Sequence, residues 1–224
     1  NTKIINTGSV YLKNLSKKIQ DREIKIDKFT IFYPSGPIRM FRASLEEMSP
    51  QKNFMHRIKI LYFLKSMLIK YPGMQLIYKC FIGTDLKHDP ITDILKNEIS
   101  SGRLKIYFDP PIKLMPEVDI MFFDMISTGF AEAININTPA IVFDNKNMKN
   151  TISKKGLKIN KLLEKSHCLF YNEFQAEKSF EFVLKNTKKF NLMTKKPKQM
   201  FLQDLAFPVK EKQFIRNYKI NAKY

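Results

Sequence analysis

Residues 119–133, DIMFFDMISTGFAEA, contain the pattern that decides the fold. The segment 119–126 is a nearly continuous apolar run, which is typical of a strand buried on both faces of a parallel sheet. Ser-Thr-Gly follows at 127–129, and a helix is predicted to begin there because Ser127 or Thr128 is able to cap a helix N-terminus. A buried strand that leads directly into a helix is the unit from which α/β folds are built.

Apolar patterns of strand and helix alternate on both sides of this segment. Strands are predicted at 28–33, 75–81, 104–108, 119–126, 140–143 and 168–171, and helices at 51–71, 90–100, 127–135, 151–165 and 172–189. Pro72-Gly73 is expected to end the first helix. This order predicts a doubly wound α/β domain with a mostly parallel sheet and helices on both faces.

The turn after the central strand is the first candidate for a binding site. In doubly wound sheets, ligands bind outside the carboxyl ends of the strands. The N–H groups that begin a helix at Ser127, Thr128 and Gly129 favour an anion such as a diphosphate, and Glu132 is able to accept hydrogen bonds from ribose. The same residues also fit a helix cap, a packing glycine and a favourable Glu, none of which requires a ligand.

The order Asp124, Ser127-Thr128-Gly129, Glu132-Ala133 and then 137–142, NTPAIV, resembles a known pattern. It looks like the nucleotide-sugar half of GT-B glycosyltransferases and the related UDP-N-acetylglucosamine 2-epimerases. It is also similar to bacterial surface-polysaccharide transferases, namely the LIC-type transferases and the CDP-glycerol glycerophosphotransferases. In such proteins a Ser-Gly turn holds the diphosphate and a Glu on the next helix holds the ribose. The resemblance covers residues 28–190 and implies a Rossmann-like domain.

Two departures favour a transferase over an epimerase. The doubled Gly that is common in epimerases is Thr128-Gly129 here, and Ala133 replaces a second Glu. The resemblance then implies the donor-binding half of a glycosyltransferase of surface polysaccharide synthesis. Its ligand would be a nucleotide-sugar or CDP-polyol donor substrate, with no further cofactor. The acceptor and the catalytic base would belong to a missing N-terminal domain, so we expect this half alone to be inactive.

Five further residues are candidates for the diphosphate site. Ser35, Gly36, Arg39 and Arg42 follow the first strand, where similar GT-B halves place backbone amides and a basic residue. Lys79 ends the second strand, where the related transferases tend to have a basic residue. Lys79 is equally well explained as one lysine among many, whereas two of the six arginines within four residues is a stronger signal.

The net charge of +18 first suggests a nucleic-acid partner. However, the basic residues are 33 Lys and only 6 Arg, and Lys, Ile and Asn together make a third of the chain. An A/T-rich coding sequence produces this composition without selection for binding. We therefore disfavour nucleic acid, although a basic nucleic-acid-binding module and a non-catalytic scaffold remain the alternatives.

Cysteine and histidine do not indicate a metal site. Cys80 and Cys168 lie far apart in apolar stretches, and His56, His88 and His167 share no ligand spacing with them. Core or surface roles are expected for all five, and no metal is predicted.

The chain is predicted to consist of a segment 1–27 from a larger parent, a domain 28–190 and a basic tail 191–224. Pro197 and Pro208 are expected to break the tail, and its apolar group around Phe201 is expected to pack on the domain or on the missing partner. Contact of the tail with anionic lipid is the alternative. No apolar run of about 18–20 residues and no signal sequence is found. A cytoplasmic location is therefore expected, and lipid contact by the tail would place the protein at the inner face of the membrane.

Overall fold

The computed structural model describes residues 12, 24–36, 50–80, 86, 89–145 and 154–205. Within these residues the strands form one sheet in the order β3-β2-β1-β4-β5-β6, and every neighbouring pair is parallel. The strands are β1 (Phe29–Pro34), β2 (Met74–Lys79), β3 (Leu104–Tyr107), β4 (Ile120–Phe123), β5 (Ala140–Phe143) and β6 (Leu169–Phe170).

Helices connect these strands and follow the last one. They are α1 (Pro50–Lys70), α2 (Ile91–Ile94), α3 (Lys96–Ser100), α4 (Thr128–Asn135), α5 (Lys154–Lys165), α6 (Glu173–Lys185) and α7 (Thr187–Leu205). A short 3₁₀ turn spans Pro111–Lys113.

The strand order makes the sheet doubly wound. From β1 the chain proceeds outward through β2 and β3, returns to β4 beside β1, and then proceeds outward in the opposite direction through β5 and β6. Because parallel crossovers are right-handed, the two directions place their helices on opposite faces. The predicted Rossmann-like α/β fold is confirmed.

Two consecutive phenylalanines of β4 show how both faces are covered. The ring of Phe122 lies 5.4 Å from that of Tyr33 and 6.1 Å from that of Phe63 in α1, centroid to centroid. Phe123 points to the other face and meets Phe130 of α4 at 5.8 Å. Successive strand side chains alternate between faces, so an apolar run such as 120–123 is stable only when both faces are packed.

Local signals define both ends of α4. The Ser127 side chain accepts a hydrogen bond from the backbone N–H of Phe130 at 3.4 Å, so Ser127 rather than Thr128 is the cap. At the other end Asn137 has φ 61°, and the N–H groups of Asn137 and Thr138 bond back to Ile134 and Ala133. This is a Schellman ending, in which an αL residue closes the helix.

Several predicted elements differ in extent. The strand predicted at 119–126 is confined to Ile120–Phe123, and the helix predicted at 90–100 is divided into α2 and α3 by Leu95, whose φ and ψ are −112° and 27°. The helix predicted to continue to 189 ends at Lys185, because Asn186 adopts a non-helical φ of −140°.

The prediction that Pro197 breaks the tail is wrong. Pro197 lies inside α7, which runs from Thr187 to Leu205 and therefore passes through residue 190, where the domain was expected to end. A proline in a helix interior removes one N–H from the helical ladder and costs about 3 kcal/mol, which the packing of α7 must offset. Residues 206–224, including Pro208, lie outside the described residues.

Helix α7 packs against α4, α5 and α6. Phe201 meets the ring of Phe130 edge to face at 5.5 Å, and both side chains are buried. Residues 191–205, the described part of the predicted tail, therefore belong to a helix that packs on α4, α5 and α6. No helix in the described ranges combines the length and apolarity needed to cross a membrane.

The turn between α1 and β2 offers a test of the packing. A Cβ atom added to Gly73 would overlap the backbone carbonyl of Asp27, whereas at Gly102 the space is open but φ is +74°. We expect Gly73→Ala to lower the free energy of unfolding by roughly 2–3 kcal/mol, as in overpacked sites. Gly102→Ala should lower it by only about 1 kcal/mol. Urea unfolding followed by circular dichroism would measure both, and equal losses would contradict the predicted clash.

Candidate functional site

The candidate site lies where the two halves of the sheet meet, between β1 and β4. Pairing here is short: only Ile31 with Ile120 and Phe32 with Met121, whereas β1 pairs with β2 over six positions. Beyond Phe32 no further residue pair forms between the two strands. Such a switch point is the usual ligand site of a doubly wound sheet.

The Asp124 carboxylate connects the two strands beyond their last pair. Its Oδ2 accepts hydrogen bonds from the backbone N–H of Gly36 at 2.9 Å and from the hydroxyl of Tyr33 at 3.0 Å. The Arg57 guanidinium donates a third, at 3.0 Å. Asp124 therefore joins the end of β4 to the loop after β1 and to α1.

Arg57 extends the network under the loop. It is 3% exposed, donates to the carbonyl of Gly36 at 2.7 Å and to the hydroxyl of Tyr78 at 2.8 Å, and lies 5.2 Å from the ring of Tyr33. Burial by itself lowers the pKa of Arg57, but Tyr33 and Asp124 raise it above the usual value, so the guanidinium stays charged. The Tyr78 hydroxyl in turn donates to the buried carboxylate of Asp89 at 2.5 Å.

The first turn of α4 presents backbone donors at the same edge. Among the described residues, the N–H groups of Thr128 and Gly129 have no acceptor, as is normal for the start of a helix. Gly129 also has a packing role, because an added Cβ would lie 3.2 Å from the ring of Phe123. Thr128 is exposed, and Glu132 lies one turn further along the helix, partly buried.

Three predicted site residues instead make internal contacts. Ser35 donates from both its N–H and its hydroxyl to the carbonyl of Lys79, each at 3.0 Å. The N–H of Gly36 is taken by Asp124, and the buried Lys79 ammonium donates to the carbonyl of Phe108 at 3.1 Å. These contacts hold the ends of β1, β2 and β3 together.

Two further side chains lie at the carboxyl end of β5: His56, which belongs to α1, and Asp144. His56 Nε2 lies 2.9 Å from the carbonyl oxygen of Phe143 and 3.3 Å from that of Asp124. Asp144 is 6% exposed and accepts from the N–H of Asn145 at 2.7 Å. Burial raises the pKa of Asp144 to about 6, and the neighbouring charge of Asp124 adds to the rise.

The sequence-predicted residues are thus only partly brought together. Asp124, Ser127, Thr128, Gly129 and Glu132 share the carboxyl edge with Ser35, Gly36 and Lys79, whereas Arg39 and Arg42 lie outside the described residues. In the described part of the chain, no three His, Cys, Asp or Glu side chains are placed to hold a metal ion.

Sequence reasoning missed Arg57, Tyr78, Asp89 and His56. One signal was present for Arg57: it is one of only six arginines and lies one turn before Leu61 on the apolar face of α1. A charge on such a face requires a buried partner, but the sequence does not show which carboxylate supplies it.

No protein-family model matches this chain, and no curated protein has a significantly similar sequence. Among solved structures, the fold resembles that of a Listeria monocytogenes protein that carries the designation UDP-N-acetylglucosamine 2-epimerase. The TM-score is 0.53 and the sequence identity 13%, and the match covers 84% of this chain and 47% of the Listeria chain. At this identity the likeness concerns the fold alone. This chain spans about half the length of its structural neighbour.

The Arg57–Asp124 pair is open to a double-mutant test. Asp124→Asn keeps an oxygen for Gly36 and Tyr33 but leaves the buried Arg57 charge without its partner, so we expect a loss of roughly 2–4 kcal/mol in the free energy of unfolding. Arg57→Met combined with Asp124→Asn should lose less than the sum of the two single changes, by roughly 1–3 kcal/mol. Urea unfolding at pH 7 would measure the cycle.

Lys70→Met is the control for that cycle, because Lys70 forms ion pairs with Glu177 and Glu181 with its side chain 41% exposed. Solvent screens such pairs, so this change should affect unfolding little. Strict additivity of the Arg57 and Asp124 changes would contradict the coupling.

Asp144 gives a pH-dependent prediction. Its folded pKa, about 6, lies above the usual value of 3.8, so the folded state binds the proton more tightly than the unfolded chain. The resulting stability is present below pH 4 and is lost as the pH rises through 6. Asp144→Asn should therefore be more stable than the natural chain at pH 7.5, on the order of 2–3 kcal/mol, and similar to it at pH 4.

Thermal unfolding of both chains from pH 4 to pH 8 would check the Asp144 prediction. The exposed Asp93→Asn on α2 controls for the loss of one negative charge. A stability difference for Asp144→Asn that does not vary with pH would disprove it.

Proposed function

We propose that this chain binds the nucleoside diphosphate part of an activated sugar or polyol at the carboxyl edge of β1 and β4. The observation that supports it best is the pair of N–H groups, Thr128 and Gly129, without acceptors in the described chain, at the start of the helix that follows β4. Donors at a helix N-terminus, combined with the helix dipole, favour a phosphate group. Glu132 would hold the ribose hydroxyls.

The internal network defines which groups serve the ligand. The donors of Ser35, Gly36 and Lys79 are used within the protein, so their role would be to fix the loop after β1 rather than to contact phosphate. The N-terminus of α4 is then the main diphosphate contact among the described residues. Arg39 and Arg42, which follow Gly36 in the sequence, remain proposed as further contacts.

The wider role follows from the resemblance of residues 124–142 to GT-B and surface-polysaccharide transferases. We propose a donor-binding half of such an enzyme, acting in the cytoplasm at the inner face of the membrane. The acceptor and the catalytic base would come from a second domain, in keeping with the half-length match to the Listeria protein. A few charge-assisted hydrogen bonds, less ordering costs, suggest a nucleotide Kd of about 10 μM to 1 mM.

Thermal shift with UDP, CDP, GDP and CMP at 1 mM tests the binding. For a Kd near 100 μM we expect a rise in Tm of about 3–6 °C with at least one of them. Thr128→Pro is the sharpest variant, because proline fits the first helical position but has no N–H to donate. Ser127 is already extended, at φ −132° and ψ 177°, as the residue before a proline prefers.

The matched control is Glu173→Pro at the first position of α6, which follows the equally extended cap Asn172. Thr128→Pro should abolish the nucleotide shift without lowering the Tm of the free protein, and Glu173→Pro should leave the shift intact. No shift with any nucleotide, together with salt-sensitive retention on DNA, would overturn the proposal and favour the nucleic-acid alternative.

A further inference from the structure

His56 has one ring nitrogen whose role in the structure is defined and one whose role is not. Nε2 faces two carbonyl oxygens, those of Phe143 at 2.9 Å and Asp124 at 3.3 Å. Carbonyl oxygens only accept hydrogen bonds, so Nε2 must carry the hydrogen. In the neutral ring Nδ1 is then a hydrogen-bond acceptor.

The surroundings of the ring keep this tautomer in place. The imidazole packs edge to face on Phe143 at 5.6 Å, and the residue is only partly exposed. Burial lowers the pKa of His56 and outweighs the opposing influence of Asp124, while the Arg57 charge lowers the pKa further. The ring is therefore neutral at pH 7, and Nδ1 makes no hydrogen bond to any described residue.

The position of His56 connects it to the proposed ligand. Its ring touches the backbone of Asp124, three residues before the helix cap Ser127, and the end of β5 beside Asp144. A diphosphate at neutral pH offers acceptors only, so an accepting nitrogen does not bind it. The accepting Nδ1 of His56 requires a ligand group with an O–H or N–H.

We infer that His56 is a ligand-binding residue whose Nδ1 accepts a hydrogen bond from a hydroxyl or N–H of the sugar or nucleoside. The inference rests on the proposed function, since it assigns this donor group to the same ligand whose diphosphate would be bound at α4. In this arrangement α4 binds the phosphates, and His56 binds the sugar or the nucleoside.

Two substitutions distinguish this role from a structural one. His56→Gln places an amide nitrogen near the position of Nε2, so it keeps the bond to Phe143 and the stability but loses the acceptor. His56→Asn places its amide near Nδ1, so it keeps an acceptor but loses the bond to Phe143. A ligand role predicts that binding is weakened about 3- to 10-fold in the Gln variant and largely kept in the Asn variant, with stability changing in the opposite order.

Calorimetric titration with pyrophosphate and with UDP, CDP, GDP and UDP-N-acetylglucosamine completes the test. Pyrophosphate carries no sugar or nucleoside group, so its Kd should be equal in the natural chain and in His56→Gln, whereas the best nucleotide should bind the variant more weakly. Long-range ¹H–¹⁵N spectra of the natural chain should show an Nε2–H tautomer whose Nδ1 resonance shifts with that nucleotide and not with pyrophosphate.

The outcomes separate the two proposals. If the nucleotide binds both chains equally, or if the Nδ1 resonance does not move, the role of His56 is disproved and the proposed function stands. If neither pyrophosphate nor any nucleotide binds the natural chain, the proposed function fails and the inference about His56 fails with it.

Discussion

The hydrogen bonds that the Asp124 carboxylate accepts hold the centre of this fold together. The pairing of β1 with β4 joins the two halves of the sheet over only two residue pairs, and an aspartate stands at each end of it. Asp119 Oδ2 accepts from the N–H of Thr30 at 2.7 Å at the amino end, and Asp124 accepts from Gly36 at the carboxyl end. Backbone donors left unpaired by the diverging strands are satisfied in this way, as buried polar groups require.

The side chains that shape the site are largely buried, whereas Thr128 at the start of α4 is exposed. Asp124 is 11% exposed and Arg57 3%, so their charges compensate each other inside the protein. The hydroxyls of Tyr33 and Tyr78 and a second carboxylate, that of Asp89, complete this network. The start of α4, held by its Ser127 cap and its Schellman ending, presents backbone N–H donors that the network does not use.

The fold was predictable because its signals are local and repeated. The strand 119–126, the Ser127 cap and the Pro72-Gly73 stop each follow from residue type and spacing. The right-handedness of parallel crossovers then leaves few topologies for the whole sheet. The errors lie where a local signal was overruled. A proline normally breaks a helix, but α7 continues through Pro197 and packs Phe201 on Phe130. Helix α6 ends at Asn186, although no glycine or proline stands there.

Residue type and spacing predict the α/β class, the position of the central strand and turn, and the helix-start donors at Thr128 and Gly129. These depend on neighbours within a few residues. Folding is what makes Arg57, 67 residues from Asp124 along the chain, its partner. It also directs the donors of Ser35, Gly36 and Lys79 to acceptors within the protein. Such contacts join the ends of different strands, and a residue pattern does not specify which distant groups the sheet brings within hydrogen-bonding distance.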